Sequence, residues 1–398
     1  MHSLERISIL DFSQGVAGPL ASLLLADMGA RVIKVEPPQG DWARRLYPPM
    51  VGSESSAYYF IGRNKESICL DLRTDEGQAV ADDLIRRADV VLHNYPLDIC
   101  QRFRLQYERC KEINPEVIYL SVTGFPQQGS YASLRAVDPL LQAMSGLMAM
   151  TGEADRSPVR VPMAVADILG GLIACQSILM ALLEKEVRGT SASQRAEVNL
   201  FDSLLFGMAP ELTSYLNGAP LPKRVGSATE RSCPSQLFRD AAGEYFLVAV
   251  TDQVWLRFCQ VIGLEELAVD SRFHTNHTRL KHKDSLIPLL EERFAQGKRE
   301  EWIEKLRSCG VVAGKLLNFS EVVRDKELAH PKNIVSLLQP GVGEVPVFGS
   351  PFRFEGVEPR LQPAPSLGQH SRSILAELGY THDWIEQLIE QRVVKAGD

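Results

Sequence analysis

Apolar residues in the first half of the chain alternate between short solid runs and longer stretches with helical spacing. RISILDF, residues 6–12, is an apolar, β-branched run bounded by polar residues, the pattern of a buried strand. PLASLLLADMGA (19–30) then carries helical spacing. Pro19 opens it, where the missing N–H costs nothing, and Gly29 ends it. RVIKVE (31–36) is a second strand, so the opening reads as a βαβ unit. Further strands are predicted at 66–72, 89–94, 117–125 and 194–200, and helices at 76–88, 97–113, 138–150, 166–187 and 201–218. This alternation predicts an α/β fold with a doubly wound parallel sheet. Ligands of such sheets sit beyond the carboxyl ends of the strands. Here those ends read DFSQGVAG, VEPPQGD, HNYPLD and SVTGFPQQG, rich in Gly, Pro and polar side chains.

The pattern changes at 219–236, where APLPKRVGSATERSCPSQ is polar and irregular, a linker or binding loop. One strand (244–250) and helices at 254–263, 283–296 and 298–310 follow, which predicts a smaller α+β domain over 225–325. A Pro-rich stretch then leads to two closing helices at 370–380 and 382–394.

Composition narrows the function. The 398 residues exceed one ordinary core. A formal net charge of -7 argues against nucleic acid as the main partner. The opening MHSLERISILDF shows no signal-peptide pattern, which predicts a cytoplasmic protein. The longest apolar segment, GGLIACQSILMALL, is short for a bilayer and contains Gln176 and Ser177, so no membrane partner is expected. Seven cysteines (69, 100, 110, 175, 233, 259, 309) are scattered and form no CxxC, the pattern of reduced thiols. His274, His277 and His282 lack the Cys or acidic partners of a metal site and read as surface residues. No GxGxxG, Walker A, GxSxG or HExxH occurs.

Among the remaining candidates, VPMAVADILGGL (161–172) places one carboxylate, Asp167, in apolar surroundings. Either it is an ordinary N-cap, or it is a partly dried nucleophile. A helix start eases its charge, and Gly170 and Gly171 leave room for a backbone or a substrate. Asp138, before Pro139, reads as an N-cap of its own helix. Asn94 and Tyr95 end a strand, as turn residues or as ligand contacts. Arg73, Arg102 and Arg135 lie near the same loops, as solvated surface charges or as a phosphate grip.

DFSQGVAGPLASLLLADMGARVIKVEPPQGD, NKESICLDLRTDEG, ADVVLHNYPLDICQRF, NPEVIYLSVTGF, DPLLQAMSGLMAMTGE, VPMAVADILGGL and LGQHSRSILAELGY, in this order, resemble the family III CoA-transferases, which include alpha-methylacyl-CoA racemase. The resemblance implies a large Rossmann-like α/β domain built from both chain ends (1–218 and 331–398). A linker and a smaller α+β domain (219–330) lie between, and two chains interlock like linked rings in a homodimer. It gives Asp167 the nucleophile's role, through aspartyl anhydride and aspartyl-CoA thioester intermediates. It places Leu70, Arg73, Asn94, Tyr95, Arg102 and Arg135 at positions that contact CoA. No metal or tightly bound cofactor is implied; the coenzyme A thioester is the substrate, with an acyl-CoA donor and a carboxylic acid acceptor.

Departures from the family pattern refine this. Val137 stands where the racemase branch has a histidine, and racemisation needs an acid and a base on opposite faces. Formyl-CoA transferase has a tyrosine there, a glutamine at the position of Val16, a tryptophan at that of Leu46 and a glycine run in the region of 225–235. A CoA-transferase is the expected activity, with succinyl-CoA among the candidate donors and a small dicarboxylate or hydroxy acid as acceptor. A racemase-like epimerase and a non-catalytic CoA-thioester binder are the alternatives. Arg156, Arg160 and Arg231 are candidates to grip a second carboxylate, against a plain surface role.

Overall fold

Six of the apolar runs lie side by side in one parallel sheet. The computed structural model describes residues 4–46, 48–189, 191–328, 333–352, 354–355 and 360–397. The spatial order is Val394–Lys395, Lys65–Leu70, Arg31–Glu36, Ser8–Asp11, Val90–His93, Ile118–Thr123 and Gln194–Asn199. All neighbours pair in parallel except the short edge strand Val394–Lys395, which runs antiparallel to Lys65–Leu70. Counted along the chain, the six parallel strands lie in the order 3-2-1-4-5-6, the doubly wound arrangement. Helices cover both faces, so the inner strands are buried runs, while the edge strand Gln194–Asn199 begins with alternating half-buried and exposed positions. The order reverses between Ser8–Asp11 and Val90–His93, which opens a crevice between their following loops.

The helix Val165–Arg188 packs on the wholly buried helix Ala17–Asp27 and on Leu200–Gly207. Its buried stripe is mostly small residues, Ala166, Gly170, Gly171, Ala174, Cys175 and Ala181, with Ile178 among them. A Cβ at Gly171 would sit 2.7 Å from the Ala17 carbonyl oxygen, and one at Gly170 2.2 Å from Leu200 Cδ2. The room made by the two glycines is thus taken by protein. At 24 residues the helix is long and apolar enough to cross a bilayer, which corrects the length expectation; its packed stripe makes it a core helix. Its outer face exposes Leu172, Met180, Leu183 and Val187.

The chain divides into two compact units. One comprises residues 1–145, 161–219 and 330–398, the other 146–160 and 220–329. The second unit takes in 146–160 as well as the region after 219. It holds a three-stranded antiparallel sheet in the order Val312–Lys315, Tyr245–Ala249, Ser235–Arg239. Phe238, Phe246, Phe258, Phe294 and Trp302 fill its core.

Local differences from the sequence pattern have backbone causes. The helix expected over 97–113 breaks into Leu97–Arg102 and Tyr107–Ile113, with Arg104 at φ 53° between them. That over 138–150 breaks at Gly146, φ 91°. A hairpin, Ile334–Gln339 with Gly343–Phe348, packs on Tyr58 and Tyr59 without having been expected. The closing helix stops at Glu390, and Val394–Lys395 joins the sheet instead.

Candidate active site

Two cavities open at the carboxyl ends of the parallel strands, beside the switch point. The larger, about 350 Å³, is lined by Gln14, Val16 and Trp42 from the first loops, by Asn94 and Tyr95, by 122–125 and 132–136, and by Asp167 and Leu200. The smaller, about 190 Å³, is lined by Glu36, Leu70, Arg73, Arg102 and Phe103 among others. Tyr95 belongs to both walls. Asn94, Tyr95, Arg135 and Asp167 therefore share one cavity, and Leu70, Arg73, Tyr95 and Arg102 the other. Leu70 is fully buried and also packs in the core. Arg73 is exposed and paired with Asp71 at 2.6 Å. Arg102 and Arg135 are exposed. Arg156, Arg160, Arg231 and the loop 225–235 belong to the second unit, and the two cavities of the first unit are lined without them.

A buried web of charges shapes the loop that carries Gln14. Asp11 ends the first strand with no exposed surface and accepts from Ser22 Oγ at 2.6 Å. Burial works to raise its carboxyl, yet Lys34 and Lys65 overcome this and hold it below the ordinary range. Lys34 also pairs with Asp41 at 2.9 Å. Asp41 in turn accepts from Gly15 N and Ala43 N, both at 2.9 Å, and so ties the first loop to the segment carrying Trp42. Gly15 has φ 84°, and a Cβ there would lie 1.9 Å from Trp42 Cζ2, so the indole lies directly on the glycine backbone. Glu36, fully buried, is held by Arg44 at 2.6 Å and by Ser67 Oγ at 2.7 Å. Each of these buried charges has a partner, and removing one partner would leave the other charge uncompensated.

Asn94 grips the same loop from the other side. Its Oδ1 accepts from Gln14 N at 2.8 Å and its Nδ2 donates to Gln14 O at 2.7 Å. Beside it His93 is buried, and burial pushes its imidazole down to about 4, so the ring is neutral at physiological pH. Its Nδ1 accepts from Tyr95 N at 3.2 Å and its Nε2 lies 2.6 Å from Tyr119 Oη, which donates to Leu105 O. The proton therefore sits on Nε2.

Asp167 stands in the first turn of Val165–Arg188. The helix's N-cap position is Ala164, and no local side chain caps it. The N-cap reading of Asp167 is thus corrected. Asp138 is corrected too: it lies inside Asp138–Met144, whose N-cap is Val137, and makes no cap bond to that helix. Its Oδ1 instead accepts from Ala166 N at 2.8 Å, capping the helix of Asp167 from 28 residues upstream. Burial pushes the Asp167 carboxyl up to about 6, and the nearby Asp138 carboxylate adds to the rise. At neutral pH Asp167 is ionised but poorly hydrated, a state suited to attack on a carbonyl carbon. Burial pushes the thiols of Cys110, Cys175 and Cys259 up to about 12, which removes them as thiolate nucleophiles. His274, His277 and His282 are exposed, and no group of three metal-binding side chains occurs among the described residues.

Residues 4–371 match CoA-transferase family III. The succinyl-CoA:glutarate CoA-transferase of Mus musculus is 33% identical over 398 residues, 99% of this chain and 91% of that protein. The succinate–glutarate CoA-transferase of Agrobacterium fabrum is 34% identical over 390 residues, 94% of this chain and 95% of that one. Among solved structures, a CAIB/BAIF family protein from Brucella suis superposes with a TM-score of 0.83 at 34% identity, covering 94% of this chain and 99% of that one. Fold, crevice and relatives define an α/β enzyme that handles CoA thioesters. The chain belongs to CoA-transferase family III and is a CoA-transferase.

Proposed function

We propose that this enzyme moves CoA from an acyl-CoA, with succinyl-CoA as the leading donor, to a free carboxylic acid through covalent intermediates on Asp167. The observation that carries the reading is the position of Asp167, a poorly hydrated carboxylate in the wall of the switch-point cavity. That cavity and the one lined by Arg73 and Arg102 share Tyr95 as a wall residue. The arginines suit the phosphates of CoA, and the Tyr95 wall suits the path of the thioester to Asp167. The names of the relatives favour succinyl-CoA as donor and a small dicarboxylate as acceptor.

An Asp167 oxygen attacks the thioester carbonyl, the C–S bond breaks, and CoA leaves as thiolate from a mixed anhydride. The thiolate attacks the aspartyl carbonyl and frees the donor's carboxylate, leaving an aspartyl-CoA thioester. The acceptor carboxylate attacks that thioester and releases CoA thiolate from a second anhydride. CoA attacks the acceptor's acyl carbon, and the Asp167 carboxylate returns. Each step trades one activated acyl bond for another, so the cycle consumes no ATP. We also assign a homodimer, supported by the exposed apolar stripe of Met180, Leu183 and Val187.

The test is acyl exchange read by mass spectrometry with a panel of acyl-CoA donors and free acids. Wild type yields new acyl-CoAs without ATP, and Asp167→Asn, checked for deamidation, yields none. Tight acyl-CoA binding with no product from any pair would overturn the reading in favour of a binder. Solvent deuterium entering the α-carbon of a branched acyl-CoA would overturn it in favour of an epimerase.

A further inference from the structure

We infer that Asp138 and Gln142 form a clamp that positions Asp167 for attack, an inference that rests on the nucleophile's role given to Asp167 above. The two side chains lie four residues apart on the helix Asp138–Met144, and so share one face. Both are buried; Gln142 has no exposed surface. The Gln142 amide engages the approach to Asp167 on both its sides. Its Oε1 accepts from Val161 N at 2.9 Å, and its Nε2 donates to Val161 O and Met163 O, each at 3.2 Å. The same Nε2 donates to Asp138 Oδ2 at 2.6 Å, which orients that carboxylate. Asp138 Oδ1 then takes the N–H of Ala166. Four hydrogen bonds from one helix face, with the two Nε2 hydrogens shared among three acceptors, thus hold the backbone from Val161 to Ala166, the residues that deliver Asp167.

A local cap would have sufficed for the fold. Ser, Thr or Asn at position 164 satisfies the same N–H without bringing a charge beside the nucleophile. The chain instead has Ala164 and reaches back to a carboxylate. That choice sets a negative charge next to Asp167, which weakens its ionised form and makes it a stronger base and nucleophile. Arg135 is the other charged side chain in the cavity wall among the described residues. Titratable groups on the other elements packed against the long helix are engaged elsewhere. Asp27 is bound to Arg63, Tyr119 to His93, Arg195 and Glu197 to Gln127, and Asp202 to Asn199.

The experiment compares wild type, Asp138→Asn, Asp138→Ala and Asp167→Ala in acyl exchange from pH 4.5 to 8, on one donor and one acceptor so that substrate ionisations cancel (~0.5-unit resolution suffices). Asp138→Asn keeps an oxygen for Ala166 N–H and removes the charge; its Nδ2 then faces Gln142 Nε2, a fellow donor, so that bond is lost with the charge. Its acid limb of kcat/KM is expected to move down by about half a unit to one unit. Asp138→Ala loses the cap as well, and its kcat is expected to fall roughly 10- to 100-fold with the acyl-CoA KM within about threefold. A merely structural role lowers the folded fraction and leaves the limb of the surviving enzyme in place. An unmoved limb in folded Asp138→Asn overturns the clamp, whether or not Asp138→Ala folds. Turnover by Asp167→Ala would instead overturn the nucleophile's role, a failure that no result on Asp138 can imitate.

Discussion

In the role proposed for it, Asp167 lowers the stability of the fold at the pH where it would act. Its carboxyl is pushed from 3.8 to about 6 in the folded protein. Between those values the folded state binds more protons than the unfolded one, so stability falls as pH rises through this window. Above pH 6 the full penalty applies. Asn carries no such penalty, so Asp167→Asn is expected to be more stable than wild type by about 1–3 kcal/mol at pH 7.5, and equal to it near pH 4. Urea midpoints at the two pH values check this; equal midpoints at pH 7.5 would show a well-hydrated carboxylate. Asp167 was legible because it is a lone acid in an apolar run. Asp138 was legible as a cap but not as the cap of another helix, since sequence spacing carries no tertiary partner. Gln142 gave no signal beyond its four-residue spacing from Asp138. Gln14 and Trp42 were missed as wall residues, although Gln14 follows the first strand, where a doubly wound sheet places ligands.

At the scale of elements, the site depends on how closely two helices approach. The Ala17 carbonyl is backbone and cannot swing aside from a new methyl group at Gly171. Gly171→Ala is therefore expected to destabilise the protein by about 1–3 kcal/mol and to reduce kcat by shifting the helix that carries Asp167. Denaturant midpoints and turnover, measured together, check it; a neutral substitution would mean that the helix pair relaxes freely. The inner parallel strands were legible because burial on both faces makes them solid apolar runs. The helix breaks at Arg104 and Gly146 were not, because each depends on a single residue entering the left-handed region. The hairpin Ile334–Gln339 with Gly343–Phe348 was hidden by its half-exposed pattern and by Pro346.

At the scale of the molecule, an apolar stripe on a 24-residue helix calls for a partner surface. For the homodimer proposed above, the double variant Met180→Asp, Leu183→Asp is expected to shift the mass in light scattering from dimer toward monomer. An unchanged dimer would place the interface elsewhere. The edge strand Val394–Lys395 has a further consequence. Residues 220–329 leave the ribosome before residues 330–398, so most of the second unit is synthesised while the large sheet is still unfinished. Until Val394 and Lys395 arrive, their partners Leu70 and Cys69 present an open strand edge to solvent or to a neighbouring nascent chain. The order of synthesis thus leaves an edge of the large unit uncovered while most of the second unit is already made.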